Sequence, residues 1–178
     1  MITTRELKRA ELNDIWTIDR SEVIEASFVM ENGALVLKPE HIDVPGWSPA
    51  MVKATTPAFE TGYDGGDWFC GLFDTDQLIG IAVLGNQLFG DNSDFLQLKF
   101  LHVGSRHRGQ GLGKQLFDAA ATEARKRGAG RLYISATPTE NTVKFYLGLG
   151  CRVLIEPDPA LFEEEPEDIH LDYEIGTR

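Results

Sequence analysis

Basic charge is what this chain is short of. Seventeen Lys and Arg stand against 28 Asp and Glu in 178 residues, a formal net charge of −11. A surface so acidic argues against nonspecific binding to nucleic acid and favours solubility. Cysteine is scarce as well. Cys70 and Cys151 are too few for a disulfide framework and have no metal-ligand spacing, so no metal is expected and a reducing compartment fits. No run of about eighteen apolar residues occurs, which argues against a membrane-crossing helix. The N-terminal "MITTRELKRAELND" carries charges with no apolar segment behind them, and the expectation is a cytoplasmic protein.

What remains is an ordinary globular balance, 42% hydrophobic and 25% charged, and a length that suits a single domain over 1–178 with a sizeable core. Residues 2–8 read as a first strand. "AELNDIWTIDRSEVI" places Leu12, Ile15, Trp16, Ile18 and Asp19 at mainly helical spacing. "FVMENGALVL" reads as a hairpin around Asn32-Gly33, the dipeptide suited to a type I′ turn. In 43–67, Ser48-Pro49 can cap a short helix while Pro57 interrupts the pattern. "DWFCGLF", "QLIGIAVLG" and "DFLQLKFLHV" form an expected antiparallel meander.

"GLGKQLFDAAATEARKRG" then aligns Leu112, Leu116, Phe117, Ala120, Ala121 and Ala124 on one helical stripe, with Gly128 as its left-handed stop. "RLYISA" is a short strand. A second helix is expected to start with Thr137 as N-cap, Pro138 at the first position and Glu140 closing a capping box. "CRVLIE" and "IHLDYEI" close the chain as strands on either side of the acidic run Glu156 to Asp168, read as solvated loop. The order implies an α/β, mixed α+β fold.

Between the third strand of the meander and the helix lies "VGSRHRGQGLGKQLF". A strand, a glycine-rich turn and a helix N-terminus make an anion site: first-turn N–H groups point outward, the helix dipole is positive there, and absent side chains allow close approach. A Walker A loop is excluded, because Arg108 stands where its first glycine belongs and Gln115 follows Gly113-Lys114. A dinucleotide fingerprint fails too. Its third glycine comes one residue early, and the preceding strands form a meander.

Arg108, Gly111 and Gly113 in "RHRGQGLG", followed downstream by "KFYLGLG", resemble the two motifs of the Gcn5-related N-acetyltransferase (GNAT) superfamily. The resemblance covers about 68–155. It implies a central mixed, mostly antiparallel sheet of six or seven strands flanked by about four helices, and acetyl-CoA as cosubstrate. It also implies that the amides of the turn at Gly109, Gln110, Gly111, Leu112, Gly113 and Lys114 hold the pyrophosphate. The strand edge Leu101, His102, Val103 would pair with the pantetheine, and Arg106, Arg108 and Lys114 would add charge. Asn141 at the second helix is a further coenzyme contact, although Thr139 occupies the family's usual asparagine position.

Acetyl transfer needs an amine without its proton, a polarised carbonyl and a protonated leaving thiolate. Tyr146 matches the family's proton donor. His102, Glu60 and Asp94 are the candidate bases. The expected partner is a small cationic amine, met by carboxylates and by Trp47, Tyr63 and Trp68 if these rings are not simply core. Acetylation of a protein or peptide amine and a non-catalytic acetyl-CoA sensor remain alternatives. Homodimers are common in the superfamily, and no nucleic acid or membrane partner is expected.

Overall fold

The computed structural model describes residues 1–176. In chain order its elements are β1 (Ile2–Glu6), a 3-10 segment (Arg9–Thr17), β2 (Glu22–Glu31), β3 (Ala34–Val44), α1 (Pro49–Asp64), β4 (Trp68–Asp74), β5 (Gln77–Leu84) and β6 (Phe95–Val103). There follow α2 (Leu112–Lys126), β7 (Arg131–Ala136), α3 (Glu140–Gly148), β8 (Arg152–Val153), α4 (Pro159–Glu164) and β9 (Ile169–Glu174). Seven strands form one sheet in the order β1-β4-β5-β6-β7-β9-β8, and β2 and β3 form a separate hairpin. Among the described strands only β6 and β7 run parallel; the other neighbours are antiparallel. None of the described helices is long and apolar enough to cross a membrane.

The sheet divides the core into two clusters. On one face α2 lays Leu112, Leu116, Phe117, Ala120, Ala121 and Ala124, all buried, against Leu72, Ile79, Ala82 and Leu132, which is the stripe its 3.6-residue period dictates. On the other face the 3-10 segment and α1 cover Phe69, Phe73, Ile81 and Val83 with Leu12, Ile15 and Phe59. The hairpin turns at Asn32 and Gly33, both with positive φ (51° and 78°), as a type I′ turn requires.

Four local expectations change. Leu12, Ile15 and Trp16 sit on a 3-10 segment ending at Thr17, and Glu22 onward is strand. The helix α1 runs sixteen residues straight through Pro57. An interior proline costs about 3 kcal/mol; Phe59 buried beyond it, and Trp16 Nε1 donating to Thr56 Oγ1 at 3.0 Å, help to offset that. The cap of α3 is Thr139, whose hydroxyl accepts from the Thr142 amide at 3.4 Å. Thr137 and Pro138 stay extended because Phe28 N–H of β2 donates to Pro138 O at 2.7 Å and Ser27 bridges to Thr139, so a tertiary strand contact overrides the local capping signal. The acidic run is not all loop: Asp158 accepts from the amides of Ala160 and Leu161 and caps α4.

Leu116→Ala should cost about 3 kcal/mol, since the side chain is wholly buried between α2 and the sheet. Exposed Asp118→Ala on the same helix should stay within about 0.5 kcal/mol. Urea unfolding of both variants checks the α2 packing.

Candidate functional site

The site begins with a break in the sheet. β6 pairs with β5 as far as Val103, but with β7 only over Phe95, Leu96 and Gln97. Beyond those pairs β7 continues beside β9 to Ala136, so β6 and β7 part and leave a gap. The register of β6 against β5 jumps between Phe100 and Leu98, making Lys99 the extra residue of a bulge, and a bulge bends its strand. Backbone direction follows by alternation. Gly104 N–H donates to Ile79 O of β5 at 2.8 Å, which turns the polar groups of His102 and Phe100 towards β5 and those of Leu101 and Val103 towards the gap. Of these, Val103 O is taken, because Arg108 Nε donates to it at 3.1 Å.

Arg108 also reaches Glu22 Oε2 at 3.2 Å. Arg108, directly before Gly109, is therefore a fastener between strand end, turn and β2. Arg106 is exposed, its carbonyl accepting from Gln110 Nε2 at 3.3 Å, and Lys114 pairs with Asp118 one turn along α2.

The glycines divide by purpose. Gly109 and Gly111 have φ of 75° and 79°, and a Cβ on either would meet nothing within 4 Å. Both face open space in a conformation that L side chains avoid. At Gly113 a Cβ would lie 3.1 Å from Phe145 Cε2; glycine there lets α3 pack on the start of α2. No side chain caps α2, so the N–H groups of Leu112, Gly113 and Lys114 are available to an anion.

Across the gap, α3 carries Tyr146, buried beside Phe117 and Phe145 with ring centroids 6.1 and 5.0 Å away. Burial pushes its hydroxyl above the usual tyrosine range, which keeps it protonated. Asn141 is exposed on the first turn of the same helix.

His102 lies on the opposite face from α2. Its ring meets Trp47 at 4.9 Å and Phe100 at 4.6 Å. Burial, then the Arg20 and Arg108 charges, push the imidazole down to about 3, so it is neutral at physiological pH. The two carboxylate candidates lie elsewhere. Asp94 precedes β6, about 26 Å along the strand from His102 at 3.3 Å per residue, where its carbonyl accepts from Gly130 and Arg131. Glu60 sits three turns into α1, within the field of Arg9 and near the Arg9–Asp64 ion pair. Of the three aromatics, Trp68 is core and Tyr63 donates to Leu7 O at 3.1 Å. Trp47 instead stands against Phe100 and His102, its Nε1 donating to Ile18 O at 2.7 Å.

Sequence reasoning missed the linker between the 3-10 segment and β2. Ser105 N–H donates to Asp19 O at 2.8 Å and Ser105 Oγ to Asp19 Oδ2 at 2.6 Å. These bonds, with Ser21, hold the exposed Asp19 carboxyl down to about 2. Reading Asp19 as part of a helical stripe hid the signal, a run of four polar residues, "DRSE", directly after Ile18.

A family model described as the acetyltransferase (GNAT) family matches residues 35–150. No curated protein matches the chain by sequence. Among solved structures, a nourseothricin acetyltransferase superposes with a TM-score of 0.72 at 19% identity, covering 98% of this chain and 99% of its own. The ribosomal-protein-S18-alanine N-acetyltransferase of Escherichia coli gives 0.62 at 17%, covering 100% and 96%. The PaiA N-acetyltransferase of Thermoplasma acidophilum, crystallised with coenzyme A, gives 0.63 at 16%, covering 98% and 99%. At these identities the likeness is one of fold.

Because His102 is held neutral, its native pKa lies below the unfolded value near 6.5. The unfolded chain then binds the extra proton first, and stability is lost as pH falls from 6.5 towards 3. Replacing it, His102→Phe should remove that loss, so the variant should gain on the wild type by at most about 1.4 kcal/mol per pH unit. Urea titrations at pH 7, 6 and 5 provide the check; a constant offset would contradict the buried neutral state.

Proposed function

The chain belongs to the GNAT acetyltransferase family and is an acyl-CoA-dependent N-acetyltransferase, and we propose that its 178 residues act as one domain that moves the acetyl group of acetyl-CoA directly to a primary amine of a small cationic molecule. The observation that carries this reading is the parting of β6 and β7 at the mouth of an amide-lined turn. A thioester cosubstrate needs an extended slot for its pantetheine amides and an anion cradle for its pyrophosphate, in line. The free groups of Leu101 and Val103 suit the first and the amides from Gly109 to Lys114 the second.

The amine attacks the thioester carbonyl carbon; the C–N bond forms, the C–S bond breaks, the leaving thiolate takes a proton from the Tyr146 hydroxyl, and water returns a proton to the phenolate. Burial keeps that phenol protonated, the state a donor needs, at the expense of its acidity. His102 serves as a neutral hydrogen-bond acceptor that orients the amine. Its low pKa suits that role better than storing a proton, and the amine's proton leaves to water. Asp94 and Glu60 take no part in this scheme. A cationic acceptor is favoured by the net charge of −11 and by the exposed Glu25, Glu40 and Asp43 on the hairpin. That hairpin leaves the Arg108–Glu22 pair and touches the start of α3 at Ser27 and Phe28, so it lies across the mouth rather than leaving an open peptide groove.

Thiol release from acetyl-CoA across a panel of amines is the test. Tyr146→Phe should lower kcat by about a hundredfold, within the span usual for a lost general acid, with coenzyme binding retained. Turnover of no amine, with saturable coenzyme binding, would overturn catalysis in favour of a sensor. Gly111→Glu places a carboxylate and a strained φ in the cradle and should abolish coenzyme binding by calorimetry while leaving the melting temperature within a few degrees.

A further inference from the structure

Arg20 Nε is the one buried side-chain polar atom without a hydrogen-bond partner among the described residues. The rest of the guanidinium is little better served. Nη1 lies 3.1 Å from Met51 Sδ, a weak acceptor, and the group stacks over Trp47 with its carbon 4.8 Å from the ring centroid. Stacking covers the face of a guanidinium and leaves its N–H edge unmet. In a chain with eleven excess acids this lack of a partner is conspicuous. Arg5, Arg9, Arg108, Arg127, Arg131 and Arg152 each have a carboxylate.

The acids nearest in sequence are engaged elsewhere. Asp19 is bound by Ser105 and Ser21, and Glu22 by Arg108. These bonds fix the linker to the glycine turn on both sides of Arg20. Trp47 is fixed in turn by its bond to Ile18 O. A half-buried cation whose Nε–H is buried and unbonded is poorly placed unless an anion completes it, and preorganising it is what a binding site requires.

We propose that Arg20 receives the carboxylate of the acceptor, so that the substrate is a diamino carboxylic acid. This rests on the acetyltransferase reading above: it needs an acceptor amine and a coenzyme already placed. The side of the sheet selects the acceptor over the coenzyme. Arg20 and Trp47 stand with His102 on the face away from α2, whereas the free amides for phosphate lie at the start of α2. Trp47 and Met51 supply an apolar wall for the methylenes between carboxylate and amine, and a second amino group keeps the molecule a net cation.

The test is calorimetric titration of lysine, ornithine and 2,4-diaminobutyrate, each paired with its carboxamide, into enzyme saturated with coenzyme A. At least one free acid should bind about tenfold or more tighter than its amide, the scale of one hydrogen bond to a charged group. Arg20→Gln should erase that preference and Arg20→Lys should keep part of it, both with the Kd for coenzyme A within about twofold of wild type. Three results would overturn the proposal: amides binding as well as acids, no member of any pair binding, or Arg20→Gln weakening coenzyme A and sparing the preference. Binding is read without turnover, so failure to acetylate would sink the reaction assignment and leave this result legible.

Discussion

Three residue pairs hold β6 to β7, and then the pairing stops. The molecule depends on that stop. A sheet that continued to pair would bury the polar groups of Leu101 and Val103 in its own ladder and close the slot that an extended thioester needs. Both flanks keep their own partners: β5 holds β6 to its end, and β9 holds β7. The bulge at Lys99 turns the end of β6 away, and α2 and α3 close over one face with Gly113 admitting Phe145. Opening is therefore built into the ladder, and the cost of unpaired edges falls where a ligand can repay it.

The glycine turn has a second consequence. Arg108 ties Val103 to Glu22, and Ser105 ties the same turn to Asp19. The linker between those two acids carries Arg20, which reaches Trp47 and lies in the field of His102. In the proposed reading, coenzyme cradle and acceptor wall thus share one fastened segment, and order at the first supports order at the second. Among the described residues several arginines fasten the fold through carboxylates, and Arg20 is the one with a buried N–H left unbonded.

Much of this was legible from local rules. The α2 stripe, the Asn32-Gly33 hairpin and the three-strand meander obey period and turn chemistry, which act over a few residues. The glycine turn was legible for the same reason, since excluding two phosphate loops needed only spacing. What failed was non-local. Thr137 reads as a cap until β2 arrives to hold Pro138 extended, and Pro57 reads as a break until Phe59 and Trp16 supply the packing. Asp94 and His102 were both candidate bases, yet β6 carries the two to opposite ends of one strand. Arg20 could not be found at all, because what marks it is the engagement of every neighbouring acid with something else.

Amide hydrogen exchange with and without saturating coenzyme A tests the central claim most directly. The parted strands and the turn predict slowed exchange at Leu101, Val103, Leu112, Gly113 and Lys114 together, with Leu96 and the middle of β5 unchanged. Protection confined to another surface, such as the cleft that Met30, Phe162 and His170 help to line, with the turn and the β6 edge unaffected, would contradict it.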